Sequence, residues 1–420
     1  MLAFSLHSVT FTTSASHSGI DFLNFERTLM NRDETEAHFL ALREAGRNYL
    51  ATSKHSLNKS ERTYRKGEVH DFFGIDPRTT KSYASRLGIS DITELTLSQM
   101  RAIRNCLPDN LRVAPKFLRG DKRHCQVIAV QNQKGGVGKS TSSLNIASGL
   151  ATEYHQDYRI GVIDLDAQHN ASSFWVRDLS LDEHISAGEL ILGEYKLDEG
   201  ETEKEFISSC FLQTQIENLR ILPASQLHRS YEFKFHEQRM QGDPQAPYRR
   251  LKHIIDTVAD EFDVIIIDTP PSSGFLTLNA YFAATSVIFP VCFNEIDVEA
   301  TSSYFDFIPS LWKMMADLGH EGYDFCKVLV CNYDEHSSSE LLIKNRFIEQ
   351  FGYFTYGTEF IKSEAIRVCN NLNCTIFEMS ASQYPKTKKS FNRCKQNVSQ
   401  VLSGIHHDLV SSWERKLREV

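Results

Sequence analysis

Residues 131–141 read Gln-Asn-Gln-Lys-Gly-Gly-Val-Gly-Lys-Ser-Thr, and they follow directly on Gln-Val-Ile-Ala-Val at 126–130. A short β-branched run without charge is what a strand buried on both faces requires. Gly135, Gly136 and Gly138 let the backbone after it curl, so that its N–H groups converge on an anion. Lys139 carries a cation to the same point, and Ser140 offers a hydroxyl to a divalent ion. Thr141 is the expected start of a helix over 142–150, whose positive end favours phosphate. The expected phosphate contacts are thus Gly135, Gly136, Val137, Gly138, Lys139, Ser140 and Thr141. Strand, glycine turn and helix in this order constrain the fold to α/β, with a mostly parallel sheet flanked by helices.

Two more segments end strands in carboxylates. Residues 159–168 run Arg-Ile-Gly-Val-Ile-Asp-Leu-Asp-Ala-Gln, and residues 262–271 run Phe-Asp-Val-Ile-Ile-Ile-Asp-Thr-Pro-Pro. The apolar stretch in each delivers Asp166 and Asp268 to carboxyl ends of strands, where open α/β sheets bind ligands. In the glycine loop, Gln133 stands where the usual first glycine would be, and a second lysine, Lys134, follows it.

With these residues the chain resembles the ParA/MinD group of P-loop ATPases, which carry this deviant Walker A loop. Ala167 departs from the proline usual in that family's switch segment. The resemblance implies ATP and ADP as ligands with Mg²⁺, the metal held by Ser140 and, through water, by Asp268. It implies that Asp166 orients the attacking water and that Lys139 acts within its own subunit. Lys134 would reach the nucleotide of a second copy, so that a homodimer sandwiches ATP and hydrolyses it slowly. Strands are expected at 286–290 and 327–331. Asn332 after the second is either a contact to the adenine edge or a turn residue. Residues 360–366 resemble a family segment near the nucleotide.

The 420 residues exceed one ordinary domain of roughly 100–200 residues. Residues 1–29 are rich in Ser, Thr and His, lack a period, and are expected to be disordered or an extension that is not native. Asn31 followed by Glu34 opens a helix within 30–58. Its narrow stripe of Phe39, Leu42 and Tyr49 needs a partner surface, either the chain's own or that of a second copy. Residues 59–123 hold 14 basic and 8 acidic residues in a chain whose net charge is −8. That balance excludes a uniformly basic nucleic-acid coat but leaves room for a local basic module.

The basic segment reads as an all-α helix-turn-helix domain over 59–106, followed by a linker over 107–124 and an ATPase domain over 125–420. One helix, at 66–73, is closed by Gly74. The next, at 77–87, has Asp76 as its cap and Pro77 in its first turn. Val69, Phe73, Ile75 and Tyr83 fall where the two helices would pack. Arg78, Thr79, Lys81, Ser82 and Arg86 would face outward, toward a DNA groove and its phosphates, or form a solvated basic face. A second basic run holds Lys386, Lys388, Lys389, Arg393 and Lys395, with no acid between Glu378 and Asp408. It is a candidate for phosphate contacts to nonspecific DNA, or again a solvated face.

Further features narrow the class. The nine cysteines are odd in number and form no C-x-x-C pair, which argues against a disulfide framework or zinc ribbon and for a reducing cytosol. No Lys or Arg precedes Arg27, so a secretory n-region is lacking. Residues 275–293 carry no charge, but they read as a core helix and strand, not a membrane span. Val398, Val401, Leu402, Ile405, Leu409 and Trp413 form a helical stripe expected to pack on the sheet. The N-terminal module points to the type Ia branch of the ParA group, which partitions plasmids or secondary chromosomes. That branch implies a ParB-like centromere-binding partner, nonspecific and operator DNA as ligands, autorepression, and a cytoplasmic, nucleoid-associated protein without membrane contact. The alternatives are a nucleotide-regulated repressor without a partition role, or a MinD-like membrane-positioning ATPase.

Overall fold

A computed structural model of the chain describes residues 32–53, 61–113, 124–168, 170–176, 184–225, 227–241 and 246–418. The expectation for residues 1–29 lies outside the described residues, as does most of the expected linker. The chain divides into two compact units, residues 1–58 and 59–420. In the first, helix α1 (Arg32–Ser53) forms where a helix is expected, and Phe39 and Leu42 of its stripe are exposed.

The second unit begins with a small module built from β1 (Thr63–Arg65), α2 (Lys66–Phe73), α3 (Pro77–Arg86), β2 (Glu94–Thr96) and α4 (Leu97–Cys106). Gly74 closes α2 in the left-handed conformation, and the Asp76 side chain accepts from the Arg78 N–H to cap α3. Val69 and Phe73 are buried, with Ile75 and Tyr83 packed against them, as the helix-pair pattern requires. The module is not all-α. Strands β1 and β2 pair antiparallel, with Tyr64 opposite Leu95, and both of these side chains are buried. Three-residue strands carry too little periodicity to be read from sequence.

After it come β3 (Gln126–Val130), α5 (Lys139–Thr152), β4 (Ile160–Asp164), α6 (Asn170–Trp175), α7 (Ala187–Leu192), α8 (Glu203–Cys210), β5 (Leu212–Gln213) and β6 (Leu219–Leu222). The chain continues through α9 (His228–Gln241), α10 (Ala246–Thr257), β7 (Val264–Asp268), α11 (Phe275–Ala283), β8 (Ser286–Val291) and α12 (Glu295–Asp317). It ends with β9 (Phe325–Val330), α13 (Ser338–Phe351), α14 (Glu364–Asn371) and α15 (Lys388–Arg418). Helix α5 starts at Lys139, two residues before the expected Thr141, because Gly138 already turns the chain into it.

Among the described residues the sheet has seven strands in the order β5-β6-β4-β7-β3-β8-β9. All neighbours are parallel except β5, which is antiparallel to β6. Strands β3, β4 and β7 are buried along their whole length, the burial that their near-continuous apolar sequences require. Alternate residues divide between two cores. Val127, Ile163 and Ile265 pack with α7, α10 and α11, while Ile128, Val162 and Ile266 pack with α5 and α15. Val398, Val401, Leu402, Ile405, Leu409 and Trp413 of α15 are all buried in the second core, as expected of that stripe.

The small module docks on the far end of α5. Arg101 lies 3.0 Å from Asp157 and donates to the Ala151 carbonyl at 2.7 Å, and Arg104 pairs with the same Asp157. The Arg62 guanidinium donates to the Phe377 carbonyl, and the Phe72 ring lies 4.2 Å from that of His155.

Candidate active site

Pairing within the sheet aligns Val130 with Asp268 and Asp164 with Asp268, so β3, β4 and β7 present their carboxyl ends together. The glycine loop crosses this edge. Gly136 and Gly138 have φ of 79° and 92°, values at which any side chain would be strained. The loop is anchored by Asn132, whose buried amide donates to the Pro290 carbonyl at 2.7 Å and to Thr301 at 3.0 Å. Its oxygen accepts from the Lys134 N–H at 2.9 Å. Sequence reasoning did not assign Asn132, since its partners come from β8 and α12.

Lys139 is buried, and its ammonium donates to the Lys134 carbonyl at 3.0 Å. Burial pushes this ammonium below its ordinary pKa, against the opposing pull of Asp268 and Asp166. The Lys134 ammonium lies 3.4 Å from Asp297 at the start of α12. Gly135, Val137, Ser140 and Thr141 occupy the same turn, between Lys134 and the first turn of α5.

Asp268 is fully buried. One carboxylate oxygen lies 3.1 Å from the Ser143 hydroxyl, and the other has no hydrogen-bond partner. Burial raises its pKa, Ser140 and Ser143 act against that, and the Asp166 charge adds to it. A buried carboxylate oxygen without a partner, beside the Ser140 hydroxyl, is the hard oxygen donor set that suits Mg²⁺. Asp166 is buried at the strand end, with one oxygen accepting from the Gln168 N–H at 3.0 Å. Asp164 does different work from Asp166. Its oxygens accept from the Ser172 N–H and hydroxyl at 2.8 and 2.7 Å and from the Asp166 N–H at 3.0 Å. It therefore fixes the turn that holds Asp166. Burial, followed by the neighbouring Asp268 charge, raises its pKa.

Beside the loop lies a cleft of about 660 Å³, lined by Gly138, Thr141, Asn145, Asn332, Ser363 and Arg367, among others. Asn332 has a left-handed backbone (φ 54°), so it is a turn residue that also faces the cleft. Residues 360–364 and 366, from the segment that resembles a family segment near the nucleotide, line the same cleft. Asn145 and Arg367 were not singled out from sequence. A spacing of six from Lys139 is the only signal Asn145 carries, and Arg367 carries none.

The expected DNA-facing residues occupy two surfaces. On α3, Arg78, Lys81, Ser82 and Arg86 are exposed, while Thr79 is half-buried and Thr80 buried. At the start of α15, Lys386, Lys388, Lys389 and Arg393 are exposed, and Lys395 is half-buried with its ammonium 3.1 Å from Glu153.

Comparison with known proteins gives this site its family. A family model described as an AAA domain matches residues 125–317. Soj, a sporulation initiation inhibitor of Bacillus subtilis, is 31% identical over 198 residues, covering 47% of this chain and 70% of Soj. The chain belongs to the ParA-type family of partition ATPases. A replication protein A of Sinorhizobium fredii is 26% identical to this ParA-type chain over 86% of its length and 89% of the relative's. SopA of Escherichia coli K12 is 28% identical, covering 67% of the chain and 71% of SopA. Among solved structures, one described as a partition protein shares the ParA-type fold at TM-score 0.56, with 16% identity, over 88% of this chain and 99% of that one. The ATP complex of Cyanothece McdA matches at TM-score 0.51 and 17% identity over 66% and 97%.

Proposed function

We propose that this ParA-type chain is the motor of a DNA-partition system, with slow, Mg²⁺-dependent ATP hydrolysis as its switch. The observation that carries this reading is the convergence of Lys139, Asp166 and the half-unpartnered carboxylate of Asp268 beside a nucleotide-sized cleft. The loop N–H groups and Lys139 bind the β- and γ-phosphates, and the cleft between Asn332 and Ser363 takes the base and ribose. Ser140 and Asp268 would hold Mg²⁺, which when bound neutralises charge between those phosphates. Asp166, held in place by Asp164, orients a water in line with the γ-phosphate. Lys134, partly exposed in the single chain, exchanges Asp297 for the nucleotide of a second copy in an ATP-bound homodimer.

Two DNA activities accompany this cycle. The α3 face binds operator DNA and represses the operon, while the basic start of α15 binds DNA of any sequence in the ATP state. A ParB-like partner accelerates hydrolysis and releases the dimer, so the protein works in the cytoplasm on the nucleoid. Among the described residues no helix is long and apolar enough to cross a membrane. The apolar stripe of α15 is buried against the sheet, which speaks against the membrane-positioning alternative, since that binds by an exposed amphipathic helix. Phosphate release measured with and without DNA and the product of the adjacent partition gene tests the proposal. Stimulation by both together supports it. A chain that binds ATP and operator but never turns over is the repressor alternative.

A further inference from the structure

The basic run at 386–395 is free of acids in sequence but not in space. Lys386 pairs with Glu364, and Arg393 pairs with Glu335. Glu364 also takes two hydrogen bonds of 2.8 Å from Arg367. Lys388 and Lys389 have no ion partner among the described residues, so half of the exposed cations are already neutralised. The pairs border a cavity of about 340 Å³, with Lys389, Ser390 and Arg393 on one side and Glu335 and Glu364 on the other. This cavity is the neighbour of the nucleotide cleft. Asp334, His336, Lys362, Ser363 and Glu364 line both, so one wall serves the two.

Carboxylate and phosphate compete for the same donors of Lys and Arg. A cation held by a carboxylate neutralises no phosphate and displaces no counterion from the DNA, so it adds little to DNA binding until the acid leaves. Exposed pairs of this kind are weak and exchange readily. Glu364 lines the nucleotide cleft as well, and a carboxylate there can accept from the hydroxyls of a bound ribose. We propose that Glu335 and Glu364 form an electrostatic latch on the DNA-binding surface. A nucleotide in the cleft draws Glu364 from Lys386, and backbone phosphates of DNA replace the acids at Lys386 and, at the smaller cavity, at Arg393. This rests on the reading that the start of α15 binds DNA.

The test measures affinity of the full-length protein for a random duplex, at several salt concentrations, without nucleotide and with saturating ATP and Mg²⁺. Saturation is established for each variant. For Glu364→Gln, the nucleotide-free protein should bind DNA several-fold more tightly. Its log–log salt slope should steepen by roughly one unit per cation released. The ATP form should change little, so the ratio between the two states shrinks. Lys386→Ala with Arg393→Ala should weaken binding in the ATP form. If the acid variant gains equally in both states, or in neither, while the cation variant still loses binding, the latch is wrong and the DNA surface stands. If the cation variant binds as the parent does, Lys386 and Arg393 are not DNA contacts and the latch fails with them.

Discussion

The ammonium of Lys139 donates a 3.0 Å hydrogen bond to the backbone carbonyl of Lys134, so the side chain of one loop lysine is tied to the backbone of the other. Their predicted roles nonetheless differ. Lys139→Ala removes a buried cation from the phosphate cradle and should weaken ATP binding tenfold or more, since a hydrogen bond to a charged group contributes roughly 1.5–3 kcal/mol. Lys134→Ala should spare ATP affinity and abolish ATP-dependent dimers. Nucleotide titration and analytical ultracentrifugation check both. Parental dimerisation and turnover in Lys134→Ala would remove the second lysine from the mechanism.

Asp166→Ala should keep ATP bound and slow hydrolysis by roughly 10²–10⁴-fold, the usual worth of a positioned acid–base group. Asp164→Ala should lower thermal stability as well, because it strips the partners from Ser172 and the Asp166 N–H. A phosphate-release assay beside a melting curve separates the two. Equal activity loss at unchanged stability in both variants would contradict the supporting role of Asp164.

Operator binding and bulk DNA binding should separate genetically. Arg78→Ala with Lys81→Ala should derepress the operon, at roughly 1–3 kcal/mol of discrimination per lost base contact, while ATP-dependent bulk binding survives. Lys388→Ala with Lys389→Ala should do the reverse and flatten the salt dependence by about one unit of slope per contact. Gel-shift titrations on operator and random duplexes decide. Loss of both activities in each variant points to one shared DNA site.

The clasp between the small module and α5 predicts a stability effect far from the nucleotide. The Arg104 side chain is 3% exposed and pairs with Asp157, so Asp157→Ala leaves a buried guanidinium without its carboxylate. A cost of about 3–5 kcal/mol is expected. Asp157 has φ of 52°, which Asn tolerates, so Asp157→Asn isolates the charge from the backbone effect. Denaturant titration of the two variants gives the comparison. An Asn variant as stable as the parent would show that the ion pair contributes nothing.

His406 should make stability fall on acidification. Its Nε2 lies 2.9 Å from the Tyr158 hydroxyl, and its ring stacks on Tyr154 with centroids 3.9 Å apart. Burial, with the neighbouring His407 charge, holds its pKa at about 4, below the ordinary 6.5. Both states are neutral above that ordinary value. As pH falls from 6.5 toward 4 the unfolded chain takes a proton that the folded chain refuses, so stability drops through this window. Replacing His406 by Gln should flatten the pH dependence of the denaturation midpoint there. An unchanged slope would show that other groups carry it.

The sequence by itself determined the strand, loop and helix around Lys139, the arrival of Asp166 and Asp268 at strand ends, the Asp76 cap of α3 and the buried stripe of α15. Each of these depends on near neighbours: a run of β-branched residues, a glycine where φ must be positive, a period of 3.6. What only the tertiary structure decided involves residues far apart in the chain. Asp164 and Asp166 look alike in sequence, yet Ser172 and Asp268 give them different tasks. The α3–α2 pair gained a β1–β2 ladder whose strands lie some thirty residues apart. The acid-free run at 386–395 met Glu335 and Glu364, 58 and 22 residues away along the chain. Which charges meet is set by strand order and helix docking, and a charge run in a sequence carries no information about either.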